Sequence, residues 1–297
     1  MSADRRQSAA AFGALALAGT IWGTSFVLGK IGLRELSAPH LMLYRFVFAS
    51  IAFLPLLTRA KPRLDRREWL LVAVAAVVGV PVQFLAQFAG LARTTASHAA
   101  LMIGTAPVLA ALGAFAVLRE RLPRVAWGCL LASTAGVAMV VNGTSRASGA
   151  AGTVPTLAGD LLVFASMFAA VVWILASKQL MKRHNAVVVS GLITVAGSVP
   201  LIGWVLLRDG PPPTMLSTPV WLATAALGVA ATTCATVFWN WGLSHTDVGK
   251  AGAFINLEPV IGAVLGVALL HETLGPLALA GGALIVAGAA GVSWLGL

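Results

Sequence analysis

Two charged residues lie inside long apolar runs, where a charge is costly unless it has a partner or a task. Glu258 precedes Pro259, which has no N–H to donate to the carbonyl of Ile255. A carboxylate beside interrupted backbone predicts a site for a substrate amine, a cation or a proton, and the structural alternative is a hydrogen bond between helices. Arg45 lies about one turn into its run, where its guanidinium suits a substrate carboxylate. The alternatives for Arg45 are extension to lipid headgroups and pairing with Glu258.

Uncharged polar residues form two pairs with a spacing of four, which places each pair on one helix face. Gln83 and Gln87 form the first pair, and Thr236 and Asn240 form the second. We expect their amides to line a route for a polar or zwitterionic ligand, although amides also join helices in membranes, often for less than about 1 kcal/mol. Trp173 lies deep in its run, and both stacking on a ligand and core packing would explain it.

The composition predicts that these residues are held by membrane-spanning helices. Of 297 residues, 59% are hydrophobic and 10% are charged, with a mean hydropathy of +0.91. A soluble domain has about 25% charged residues. We therefore predict an all-α integral membrane protein of ten transmembrane helices, each of about 20 residues. The predicted spans are 10–32, 40–58, 69–91, 97–118, 123–142, 157–178, 186–207, 219–242, 250–270 and 276–296.

The net charge of +10 comes from residues that lie between apolar runs rather than in one patch. This distribution argues against a nucleic-acid partner and is typical of membrane topology. With the N-terminus in the cytoplasm, the Lys and Arg residues other than Arg45 divide 14 to 5 in favour of the inner face. We therefore predict a multi-pass protein of the cell inner membrane, surrounded by lipid bilayer, with both termini cytoplasmic.

An internal repeat relates the two halves of the chain. A shift of 152 residues places Pro107 on Pro259 and Glu120 on Glu272, without a gap from residue 69 to residue 140. The predicted organisation is a five-helix repeat at 1–142, a linker at 143–156 and a second five-helix repeat at 157–297. Because five is odd, the second repeat enters the membrane inverted, as in many secondary transporters.

The same repeat predicts where the protein bends. Each half has a short helical hairpin, and Gly90 and Gly242 end the equivalent arms. A glycine absorbs backbone changes. Pro107 and Pro259 lie inside the next predicted helices, at 97–118 and 250–270, and weaken their hydrogen bonding. We expect these four residues to act as hinges when the two hairpins close opposite ends of one pathway.

Several of these features together resemble the EamA family of the drug/metabolite transporter superfamily. They are the segment Ile21–Phe26 (IWGTSF), the pair Arg45-Phe46, a proline thirteen residues before a glutamate in both halves, and a glycine-rich last helix in each half. The second half departs from the pattern at its start, because residues 168–170 read FAA and no arginine matches Arg45. The resemblance implies export of amino acids or other metabolites, and some members resemble methionine and aromatic amino-acid exporters.

Other functions have less support in the sequence. There is no phosphate-binding G-x-x-x-x-G-K-[ST] loop and no H-E-x-x-H motif, and Cys129 and Cys234 are isolated, so we expect no cofactor, no metal and no enzymatic activity. The leading hypothesis is a secondary transporter or facilitator that exports amino acids or related small molecules. Alternatives are transport of sugars, nucleosides or cationic drugs, a membrane-embedded enzyme, or a structural membrane subunit.

Overall fold

The computed structural model describes residues 3–60, 62–106, 108–109, 112–113, 124–143, 154–245 and 254–294. In these ranges the regular elements are helices, numbered here in chain order. They are α1 (Ala3–Gly32), α2 (Ala38–Ala60), α3 (Arg66–Leu91), α4 (Ala96–Ile103), α5 (Arg124–Asn142), α6 (Leu157–Met181), α7 (Ala186–Arg208), α8 (Thr218–Ser244), α9 (Leu257–Leu270) and α10 (Pro276–Trp294).

Six of these helices are long and apolar enough to cross a membrane: α1, α2, α3, α6, α7 and α8. The all-helical prediction is therefore confirmed, while the total of ten spans and the inverted repeat remain predictions. The helices interleave the two halves of the chain. Helix α1 packs mainly on α8 and α9, α2 on α7, and α3 on α6. Helix α4 packs mainly on α9, and α5 packs on α10.

Two predicted spans are not continuous helices. The span at 97–118 is interrupted by a turn at Gly104 and Thr105, and the span at 250–270 by a turn at Asn256. Each turn lies two or three residues before a proline of the repeat. Because proline has no N–H, the carbonyl four residues earlier loses its helical partner, which explains the interruption at both places. Pro107 itself lies outside the described residues.

Two of the long helices contain wide π-helical turns. These segments are Val78–Val82 in α3 and Leu227–Cys234 in α8, and the 152-residue shift places the first within the second. Pro81 lies in the first segment and disturbs ordinary helical bonding. In the second segment, the hydroxyl of Thr232 donates to the carbonyl of Leu227, five residues earlier, at 2.8 Å.

Gly90 and Gly242, two of the four predicted hinges, lie at close helix contacts. A Cβ atom at Gly90 would lie 2.7 Å from the carbonyl oxygen of Gly159, so a side chain there would press on the backbone of α6. A Cβ atom at Gly242 would lie 2.6 Å from Cγ of Leu15 and 3.0 Å from the carbonyl oxygen of Ala11, both in α1. Whatever their part in motion, both glycines are needed for these two helix pairs to approach closely.

The loop between the first two helices of each half contacts the start of the third helix of the other half. In the α1–α2 loop, Glu35 accepts a hydrogen bond from the backbone N–H of Ser217, at 2.8 Å, just before α8. In the α6–α7 loop, Arg183 donates to Asp65, just before α3, at 2.9 Å. The backbone N–H of Glu68, followed by Arg183, lowers the pKa of the Asp65 carboxyl. Both contacts therefore hold a charged loop residue against a helix N-terminus.

Candidate functional site

One cavity of about 110 Å³ lies in the middle of the helix bundle. A single buried water needs only about 10–15 Å³, so this space accommodates a small organic molecule. Five of the six predicted substrate-binding residues line the cavity: Arg45, Gln83, Gln87, Trp173 and Glu258. They come from α2, α3, α6 and α9, which shows how separate apolar runs bring their polar residues to one place.

Arg45 provides the positive group of the cavity. Its side chain is only 2% exposed, and its Nε donates to the hydroxyl of Thr232 at 2.7 Å. The guanidinium carbon lies 4.5 Å from the ring centre of Phe84 and 5.3 Å from that of Phe88, so aromatic faces stabilise the cation. Among the described residues, no acceptor binds its two Nη groups. These donors are therefore available to a ligand carboxylate.

Glu258 provides the negative group, from the first turn of α9. Its side chain is half-buried, and within the described ranges the carboxylate has neither an ion pair nor an interhelical hydrogen bond. Among the described residues, no guanidinium nitrogen of Arg45 lies within 4 Å of a carboxylate oxygen of Glu258. The cavity therefore has two separate groups of opposite charge, and the described structure does not contain the direct pair that the sequence left open.

Neutral polar side chains also line the cavity. The side-chain oxygens of Gln83 and Gln87 and the hydroxyl of Ser25 are buried without a hydrogen-bond partner in the described part of the chain. Buried polar atoms are paired in the large majority of cases, so these three atoms have hydrogen-bonding capacity that a ligand or water in the cavity can use. Ser25 was part of the IWGTSF segment in the sequence, but its spacing gave no indication that it faces a cavity.

Aromatic side chains form the apolar wall. Trp22 donates its indole N–H to the carbonyl of Ala231 at 2.9 Å, and its ring centre lies 5.5 Å from that of Trp239. Trp173 reaches the cavity over Gly79, where an added Cβ would lie only 2.7 Å from the Trp173 Cβ. The wall therefore suits an apolar or aromatic part of a ligand. Sequence reasoning did not select Trp239, which lies in a run with other aromatic residues.

Asn240, the sixth predicted binding residue, lies outside the cavity lining. It is 1% exposed and donates its amide N–H to the hydroxyl of Ser190, which joins α8 to α7. Thr236, one turn earlier in α8, does line the cavity. Of this predicted pair, Thr236 therefore lines the cavity and Asn240 joins two helices instead.

Comparisons with known proteins agree with this architecture. The model of the EamA-like transporter family matches residues 10–142 and 157–294. An uncharacterized transporter of Archaeoglobus fulgidus is 32% identical, over 92% of this chain and 94% of its own. A probable terminal-alkyne amino-acid exporter of Streptantibioticus cattleyicolor is 28% identical, over 93% and 90% of the two chains. A solved crystal structure has the same fold, with a TM-score of 0.67 at 22% identity, over 98% of this chain and 97% of that one. The chain therefore belongs to the EamA-like transporter family, and it is a multi-pass membrane transporter rather than an enzyme.

Proposed function

We propose that the protein exports amino acids or closely related metabolites across the inner membrane by alternating access. The observation that carries this proposal is that a basic residue, Arg45, and an acidic residue, Glu258, line one cavity without an ion pair to any other described residue. An α-amino acid has a carboxylate and an ammonium group, which complement these two side chains. The similar chain named as an amino-acid exporter adds support for this substrate class.

The arrangement of the cavity suggests a binding mode. The substrate carboxylate accepts hydrogen bonds from the free Nη groups of Arg45, a bidentate geometry that guanidinium groups favour. The ammonium group faces Glu258 and the amide oxygens of Gln83 and Gln87. The substrate side chain then lies against the tryptophans of the apolar wall. This mode favours zwitterions with apolar side chains over sugars, which have no charge to pair with either end.

Repeated contacts support two inverted halves that rock about this cavity. Gly90 of α3 meets Gly159 near the start of α6, and Gly242 of α8 meets Ala11 near the start of α1. Gly90 and Gly242 are 152 positions apart, and their partners Ala11 and Gly159 are 148 positions apart, so the two separations are nearly equal. The third helix of each half therefore makes an equivalent contact with the first helix of the other half. In an inverted repeat, such equivalent contacts lie at opposite sides of the membrane, and exchanging them opens a central site to each side in turn.

Labelling of two equivalent loop positions tests the inverted topology. We expect Arg121→Cys to be protected from an impermeant maleimide in intact cells and Thr273→Cys to react, because the repeat and the charge bias place them on opposite sides. The background replaces Cys129 and Cys234, both free thiols, by alanine. Permeabilised cells, in which both sites should react, provide the control. Equal labelling of both positions from outside would contradict inverted halves.

Flux measurements in liposomes test the substrate class. The purified full chain is reconstituted into liposomes, and each batch of liposomes is loaded with one compound. The compounds are apolar amino acids, their carboxamides, a sugar, a nucleoside and a cationic drug. Flux of each compound is measured with and without a pH gradient. We expect flux of the amino acids and little flux of the carboxamides, which lack the carboxylate that Arg45 binds. Transport of the sugar, the nucleoside or the drug, without amino-acid flux, would replace this proposal with one of the alternatives.

A further inference from the structure

The π-helical segment of α8 makes an unusual hydrogen bond through Thr232. The hydroxyl proton of this residue is donated to the carbonyl of Leu227, at 2.8 Å. With its proton committed in this way, the oxygen can only accept a further bond, and it accepts one from Nε of Arg45 at 2.7 Å. The orientation of this acceptor is therefore fixed by the helix itself rather than by a free rotation of the hydroxyl.

Ala231, the residue before Thr232 in the same segment, binds a tryptophan that lines the cavity. The carbonyl of Ala231 accepts the indole N–H of Trp22 at 2.9 Å. One π segment thus binds an arginine from α2 and a tryptophan from α1. Single wide turns of this kind occur frequently at functional sites, because they expose backbone and side-chain groups that a regular helix uses internally.

The bond to Thr232 limits how Arg45 can bind an anion. A guanidinium offers a carboxylate either an edge that includes Nε or the end formed by its two Nη groups. Nε is occupied by Thr232, and the rings of Phe84 and Phe88 flank the guanidinium. Only the Nη end is left, and among the described residues it has no protein acceptor.

We infer that Thr232 is a positioning residue that directs the Nη end of Arg45 into the cavity, and that it thereby sets the preference for substrates with a free carboxylate. The inference rests on the proposed function for the identity of the substrate. The orientation of Arg45 is a separate statement, and it is tested separately.

Binding of two matched probes tests the effect on selectivity. The full chain, in detergent, is titrated with L-phenylalanine and with L-phenylalaninamide, and binding is followed by tryptophan fluorescence, since three tryptophans line the cavity. For Thr232→Val we expect about tenfold weaker binding of phenylalanine, a loss of about 1.4 kcal/mol, and less than about twofold change for the amide. Thr232→Ser keeps the hydroxyl and should restore wild-type selectivity.

Thr233→Val is the matched control for these variants. Thr233 lies in the same π segment, and its hydroxyl lies 3.3 Å from the carbonyl of Gly228 and 3.4 Å from that of Ala49 in α2, but among the described contacts it has no hydrogen bond with Arg45. We expect the Thr233→Val variant to prefer phenylalanine over its amide to the same extent as the wild type does. If Thr232→Val kept the wild-type preference for phenylalanine, or weakened both probes equally, Thr232 would not set carboxylate selectivity.

Nitrogen-15 NMR of arginine side chains tests the orientation without any substrate. The Nε–H signal of Arg45, identified by its loss in Arg45→Lys, should exchange slowly with water in the wild type and in Thr232→Ser. It should exchange rapidly in Thr232→Val, and an unchanged signal there would overturn the positioning role. If the wild type bound neither probe while the signal responded as expected, the amino-acid proposal would fail and the positioning of Arg45 would stand.

Discussion

Replacing Glu258 by glutamine is expected to reduce amino-acid transport at least about tenfold, which corresponds to a loss of about 1.4 kcal/mol. Glutamine keeps the size of the side chain but cannot offer a negative charge to the substrate ammonium group. The fold should persist, because among the described residues Glu258 has no ion pair whose loss would leave a buried charge alone. Initial flux into liposomes, normalised to folded protein, measures the effect.

Asp209→Asn is the matched control for this substitution. It also removes one carboxylate, but from an exposed position at the end of α7, away from the cavity. We expect its flux to equal that of the wild type. A folded Glu258→Gln protein that transported amino acids at the wild-type rate would exclude Glu258 from substrate binding.

Valine at Gly90 or at Gly242 is expected to impair both folding and transport. The first added carbon would lie 2.6–2.7 Å from atoms of the neighbouring helix, closer than real side chains come, so α3 must move from α6, or α8 from α1. Overpacking of this kind typically costs about 1–3 kcal/mol. We expect lower melting temperatures and slower flux, with substrate binding still detectable.

The two valine variants should also shift the transporter in opposite directions, because the two contacts are equivalent in inverted halves. Cysteine labelling at the two mouths of the pathway measures this shift. Gly203→Val is the control, since a Cβ there has no atom within 4 Å. Unchanged flux in both variants, or the same shift at both mouths, would contradict a symmetric gate.

Polar residues within apolar runs made most of the polar lining of the cavity predictable. Arg45 and Glu258 stand out in the sequence because a lipid-facing position would be so unfavourable that a cavity or a partner must be nearby. Gln83 and Gln87 follow from their spacing alone. These arguments need only composition and helical periodicity, which are local properties of the chain.

Other features depend on partners that are distant in the sequence. The bond from Asn240 to Ser190 spans 50 positions, and no local pattern shows that this amide is already satisfied. The π segment of α8 has no charged residue or amide that would mark it within an apolar run. The sequence therefore gave no indication that Thr232 binds Arg45. The turn at Asn256 was partly predictable, because Pro259 indicated broken backbone, but its position also depends on the packing of α9 against α1 and α4.

The contact between Arg45 and Thr232 also has a consequence for biosynthesis. The two residues are 187 positions apart, so the arginine enters the bilayer long before its acceptor has been translated. At about 5–20 residues per second, the delay is roughly 10–40 s. During this time the guanidinium must be accommodated by headgroups, water or the insertion machinery. Ribosome stalling between the two positions would therefore prolong a vulnerable intermediate, and quality-control proteases would be expected to degrade it first.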